Sequence, residues 1–237
     1  MRKVALWLVA MALGSPAWAV DFTFHDWTFD KDAPGSTPSG IIMGTSNGEA
    51  GRWVVTADEK AYSPPNVLGR IPLGKPGLAP QLVFLDGPDA MNLDLTVRIK
   101  VLEDGEGQGM GIVFRADDER NYYVGWLSPR EKKLRIDKVI NGVPGTLQEL
   151  SVDSTESAKW HALRLSIHGA VMEVWYDGQV VSAREEAWEF GRYKKGKVGL
   201  WARGPAVNYF DSVRYNTMDG GTGSAPLGGT ETTIIKK

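Results

Sequence analysis

The 237-residue chain contains no cysteine. That excludes disulfides, a thiolate nucleophile, cysteine–zinc ligation and a lipid-modified N-terminal cysteine, and leaves the fold to hold together on its core alone, as a chain of this size can. Histidine is scarce: His25, His161 and His168 stand far apart, without the close pairing that a zinc site on one helix or strand shows. Gly44-Thr45-Ser46-Asn47-Gly48 has the Gly-x-Ser-x-Gly spacing, but no helical pattern follows it, so no strand-to-helix elbow marks a serine as a nucleophile. Nor does any stretch carry an amphipathic helical period of useful length.

What is present begins with an address. Met1-Arg2-Lys3 is a basic n-region, Val4 to Leu13 is apolar, and Ala17-Trp18-Ala19 is a small-x-small cleavage site after Gly14 and Pro16. Ten apolar residues are about half of the ~20 that cross a bilayer, so no integral membrane anchor is expected. Residues 1–19 read as a signal peptide, which implies an exported, periplasmic or extracellular protein. Without Arg2 and Lys3, the 27 basic residues become 25 against 29 acidic ones, a formal charge of −4. That balance favours neither nucleic acid nor an anionic membrane as partner.

Residues 20–216 read as strand after strand, with turn signals roughly every 8–12 residues. In Asn92–Val101 strict alternation places Leu93, Leu95, Val97, Ile99 and Val101 on one face and polar groups on the other. Trp160–His168 repeats the pattern and returns after Gly169-Ala170 as Val171–Tyr176. Asn141-Gly142 and Asp177-Gly178 tolerate the positive φ of type I′ turns and predict two further hairpins. The glycine- and proline-rich stretches 31–51 and 72–80 read as loops around short strands. "MDGGTGSAPLGGTETTIIKK" has no periodicity, and 217–237 reads as a disordered tail. The expected fold is all-β, two antiparallel sheets packed face to face.

The segments "GMGIVFRADDERNYYVGWLSPREKKLRIDKVINGV", "WHALRLSIHGAVMEVWYDGQVV" and "GKVGLWARGPAVNYFDSVRY", with "WTFDKDAPGSTPSG" as first strand and loop, resemble the concanavalin A-like lectin/glucanase superfamily. The nearest likeness is to laminin-G-like and 3-keto-disaccharide-hydrolase-like domains of exported bacterial proteins. The resemblance runs from Trp27 to Tyr215 and implies a jelly roll, an architecture that carries lectins, hydrolases and inert modules alike. Retaining glucanases of the superfamily carry Glu-x-Asp-x-x-Glu, which this chain lacks. The hydrolase-like domains carry an acidic, glutamine-containing strand where this chain has Asn121-Tyr122-Tyr123-Val124-Gly125-Trp126-Leu127, without a carboxylate. No catalytic residue is therefore assigned; Asp117 and Asp118 are the first carboxylates to test should hydrolysis occur. The likeness also implies a structural calcium, held by Asp30 of the first strand and Asp211 of the last; the alternative is that both carboxylates accept turn amides.

Alternation splits the aromatics of 121–127, Tyr122, Val124 and Trp126 to one face and Tyr123, Gly125 and Leu127 to the other. With Phe114 and Leu200 inward, an outer patch of Arg115, Tyr123, Trp201 and Arg203 is expected, with a dip at Gly125. Aromatic faces cover the C–H patch of a sugar ring and arginine forks to its hydroxyls, so this is the candidate ligand site, with a poly- or oligosaccharide as partner. The leading reading is an exported, non-catalytic glycan-binding module. The alternatives are a glycoside hydrolase of the 3-keto-disaccharide-hydrolase type and a protein-interaction or structural domain.

Overall fold

The computed structural model describes residues 23–46, 49–50, 52–72, 79–184 and 195–217. The segment 1–19, expected to be a signal peptide, lies outside the described residues. So does the tail, except Thr217, which closes the last strand. No helix occurs among the described residues.

Two antiparallel sheets form a sandwich. One runs in the order β15 (Gln179–Arg184), β14 (Val171–Tyr176), β13 (His161–His168), β8 (Leu93–Val101), β17 (Asn208–Thr217), β6 (Asn66–Ile71) and β5 (Arg52–Ala57), with β1 (Thr23–Trp27) also paired to β17. The other runs β12 (Val143–Ser151), β11 (Lys133–Ile140), β10 (Asn121–Ser128), β9 (Gly109–Asp118), β16 (Lys197–Arg203), β7 (Gln81–Leu85) and β2 (Ile41–Met43). β3 (Thr45–Ser46) and β4 (Glu49–Ala50) make a small ribbon.

Sequence alternation accounts for the layers. Leu93, Leu95, Val97, Ile99 and Val101 of β8 are all buried between the sheets, facing Ile112, Phe114 and Leu200 of the opposite sheet. The hairpins form where Asn-Gly and Asp-Gly allow them: Asn141 and Gly142 have φ of 53° and 81°, Asp177 and Gly178 of 46° and 88°. Gly125 lies on the interior side, where an added Cβ would sit 2.4 Å from Val174 Cγ2. The expected surface dip is therefore a point of close sheet-to-sheet approach.

A second apolar cluster lies on the outer face of the seven-stranded sheet, where Leu82, Phe84, Val113, Val124, Trp126 and Trp201 are all buried. A sheet with one wet face would carry polar groups there. Here they only edge a buried apolar cluster, and the candidate site is built on that departure.

Candidate functional site: an aromatic cleft on the seven-stranded sheet

Register brings the site together. Gly111 of β9 pairs with Trp126 of β10 on one side and with Trp201 of β16 on the other. Cross-strand partners share a face, so two indoles flank one glycine. A Cβ on Gly109, two residues along, would meet Trp126 at 2.9 Å and Trp201 at 3.1 Å. The glycines thus let both rings close over β9, with centroids 5.2 Å apart and planes tilted by 45°.

Polar groups edge this floor. Asp137 of β11 pairs with Val124, and its Oδ2 accepts the Trp126 indole N–H at 2.6 Å. The Arg203 guanidinium lies 4.4 Å from the Trp126 ring centroid and 5.7 Å from that of Trp201. Arg135 stacks on Trp126 at 5.1 Å but is engaged by Glu131 at 2.5 Å and Glu149 at 3.2 Å. Burial pushes the Tyr122 phenol up to about 12, with the adjacent Trp201 indole acting in the opposite direction, and burial also pulls the Arg203 guanidinium down.

Above the floor is a cleft of about 350 Å³, walled by Pro80 and Pro144 and lined by Tyr122, Asp137, Trp201 and Arg203. Asp137 Oδ1 and Arg203 Nε are each buried and have no hydrogen-bond partner among the described residues, whereas the Trp201 indole is turned to the Tyr122 phenol. Buried polar atoms are nearly always bonded, so two orphans on side chains lining one cleft call for an explanation. A larger open groove of about 630 Å³ lies on the outer face of the other sheet, with His25 Nε2 and Asn216 Oδ1 as orphans. Its charges are already matched: Arg164 Nε donates to both Asp94 oxygens at 3.1 Å, and Arg214 faces Asp26 at 3.7 Å.

No known protein family matches the chain, and no curated protein does. Solved structures do. The carbohydrate-binding module CBM66 from Bacillus subtilis superposes with a TM-score of 0.57 at 13% identity, over 74% of this chain and 94% of that one. A Bacillus licheniformis beta-glucanase gives 0.53 at 13% identity, over 81% and 97%. A Bacillus subtilis protein of unknown function with a galectin-like fold gives 0.51 at 11%, over 75% and 88%. The fold is the concanavalin A-like jelly roll. Likeness at such identity carries the architecture and not the activity.

Within this jelly roll the four expected ligand residues separate. Trp201 and Arg203 are on the outer face at the cleft. Tyr123 is not: it pairs with Phe114, stacks on it with centroids 5.6 Å apart, and is wholly buried between the sheets. Arg115 is also lost to the patch. Pairing with β10 jumps from Tyr123↔Phe114 to Asn121↔Asp118, and with β16 from Gly199↔Val113 to Lys197↔Ala116. This is a bulge, with Arg115 at φ 47°. The kink buries its side chain, which donates to the Met91 and Gly169 carbonyls at 3.1 and 2.5 Å and so ties the two sheets together. In their places stand Tyr122, Trp126 and Asp137. The shared face of Tyr122 and Trp126 was visible in the alternation, whereas Asp137 needed the β10–β11 register.

Asp30 and Asp211 do come together, at Ser63. Asp211 accepts the Ser63 and Ser212 amides at 2.7 and 2.6 Å; Asp30 accepts the Asn66 amide at 3.2 Å and the Ser63 hydroxyl at 3.4 Å. The nearby carbonyls of Asp32 and Phe29 accept the Asn66 side-chain amide at 3.0 and 3.5 Å. Oxygens that a calcium would need are committed to N–H and O–H donors, and no group of three or more histidine, aspartate or glutamate side chains suited to a metal occurs among the described residues. The corner fits turn-amide capping and does not fit a cation.

The same corner carries a pH signature. Burial, reinforced by the Asp30 charge, lifts the Asp211 carboxyl from an ordinary 3.8 to about 6, against the pull of its two amide bonds. The folded state then keeps the proton that the unfolded chain releases, so this group's stabilising contribution is full below about 4 and is lost as pH rises through about 6. Wild type is expected to gain stability relative to Asp211→Asn as pH falls from about 6 to about 4, read as the difference in denaturation midpoints. A difference that stays flat over that window would refute the assignment.

Proposed function

We propose that this chain is an exported, non-catalytic glycan-binding module whose ligand sits in the cleft formed by Tyr122, Asp137, Trp201 and Arg203. The observation that carries the reading is the coincidence of an aromatic floor with two uncommitted polar atoms, Asp137 Oδ1 and Arg203 Nε, in one semi-enclosed cleft. Sugars present that complement, an apolar C–H face ringed by hydroxyls that both donate and accept. At about 350 Å³ the cleft is of ligand-pocket size. Two of the structural neighbours described above are named for binding or cleaving carbohydrate, which favours a sugar over a protein partner.

Binding is preferred to cleavage because glycoside hydrolysis ordinarily uses two carboxylates flanking one bond. Asp137 is the sole carboxylate among the described residues lining the cleft, and one of its oxygens is held by Trp126. Asp118 is spent on the Arg120 amide at 2.7 Å and the Asn121 side chain at 2.9 Å. The export reading rests on the N-terminal sequence pattern alone.

Affinity electrophoresis of the full chain in polysaccharide-containing gels tests the reading. Retardation by at least one neutral or acidic polysaccharide is expected, with no release of reducing sugar. Arg203→Gln should weaken it about tenfold or more while the melting temperature moves little, since loss of one well-placed polar anchor costs over about 1 kcal/mol in binding. Unchanged retardation in that variant, with loss in Arg214→Gln, would move the site to the groove on the eight-stranded sheet.

A further inference from the structure

We infer, resting on the glycan-binding reading, that the cleft selects an uncharged sugar ring with two neighbouring hydroxyls and discriminates against uronic acids and sulfated sugars. The charge balance leads there. Asp137 and Arg203 are the two charged side chains among the described residues lining the cleft, one of each sign, and they are not ion-paired to each other. The other cations nearby are engaged. Arg135 is bonded to Glu131 and Glu149, and Arg120, beside the Gly142 rim, donates to the Asn141 carbonyl at 2.8 Å.

The hydrogen-bond complement points the same way. The orphaned atoms comprise one acceptor, Asp137 Oδ1, and one donor, Arg203 Nε. A vicinal diol can donate to the first and accept from the second at once. A carboxylate or sulfate offers acceptors only: it could satisfy the donor, but it would leave Asp137 Oδ1 unbonded and set a like charge beside it in a partly desolvated site. Asp137 cannot swing aside freely, because Trp126 Nε1 holds its other oxygen at 2.6 Å. Trp126 is thus a positioning residue, and Asp137 sets the specificity.

The test is a glycan array and titration calorimetry with the full chain, using matched methyl glycosides of glucose, galactose and mannose, the same glycosides oxidised to uronic acids, and neutral and acidic oligosaccharides of pyranose and furanose type. Neutral ligands should bind at least about tenfold tighter than their acidic counterparts, with affinity nearly independent of ionic strength, since no net charge is exchanged. Asp137→Asn keeps an acceptor for Trp126 but replaces the free oxygen by a donor. It should weaken neutral ligands tenfold or more and shrink or reverse the discrimination against uronates. Arg203→Lys, which keeps the charge and loses the fork, should weaken neutral ligands and leave the discrimination intact. Preference for uronates, or affinity falling steeply with salt, would overturn this inference and leave glycan binding standing. Absence of binding to every glycan would overturn both. If Asp137→Asn melts far below wild type, the preference and salt dependence of the wild-type protein and Arg203→Lys decide the matter.

Discussion

Trp201→Ala is expected to lower the free energy of unfolding by about 3–5 kcal/mol, the usual cost of emptying a buried large aromatic site. Trp201 is only 3% exposed although it faces outward, because it packs on Trp126 and belongs to a cluster with Leu82, Val113 and Val124. For a domain of this size the melting temperature should fall on the order of 10 °C. The comparison variant is Trp175→Ala on the outer face of the other sheet. That ring is half-exposed and has the Arg164 guanidinium 4.5 Å from its centroid, so its loss should cost no more than about 1 kcal/mol. Chemical denaturation of both variants decides the point. A near-wild-type midpoint for Trp201→Ala would refute the packing of its ring against Trp126, Leu82, Val113 and Val124.

Gly111→Ala should be at least as damaging, and for a different reason. The new Cβ would stand 2.4 Å from the Gly125 carbonyl oxygen and 2.8 Å from Trp126 Cα, so it meets backbone that no rotamer change can relieve. Strands β9 and β10 would have to separate, at a cost of about 3 kcal/mol or more. The indoles flanking Gly111 would lose their 5.2 Å contact, which near-ultraviolet circular dichroism should register as a loss of tryptophan signal. Gly145→Ala is the control, since its Cβ would meet nothing nearer than the Lys138 carbonyl at 3.8 Å. Equal midpoints for the two variants would refute the close approach of β9 and β10.

These two residues show why the candidate site was only half legible. Trp201 and Arg203 were placed on the outer face by alternation from Leu200, and the structure puts them there. The Tyr123 assignment failed because the register shifts between Asn121 and Tyr123: past that shift Tyr123 pairs with Phe114 and lies inside with it. Arg115 is different. Simple alternation sends it outward from Phe114, and a bulge at φ 47° overrides this by adding backbone that no side-chain pattern announces. The burial of the outer cluster was equally hidden, since Tyr122, Val124 and Trp126 read the same whether their face meets solvent or other residues of the chain.

By itself, then, the sequence determined the all-β class, the alternating strands of the inter-sheet core and the two hairpins at Asn141-Gly142 and Asp177-Gly178. Each of these is written in local periods and turn chemistry, acting over a few residues. Only the tertiary structure decided which outward-facing aromatics meet, that Asp137 stands beside them, and that Asp30 caps the Asn66 amide and Asp211 the Ser63 amide. Those outcomes depend on register between strands distant in the chain, such as Trp201 against Gly111. A shift of one residue exchanges every side chain between faces, so the site exists only once pairing is set.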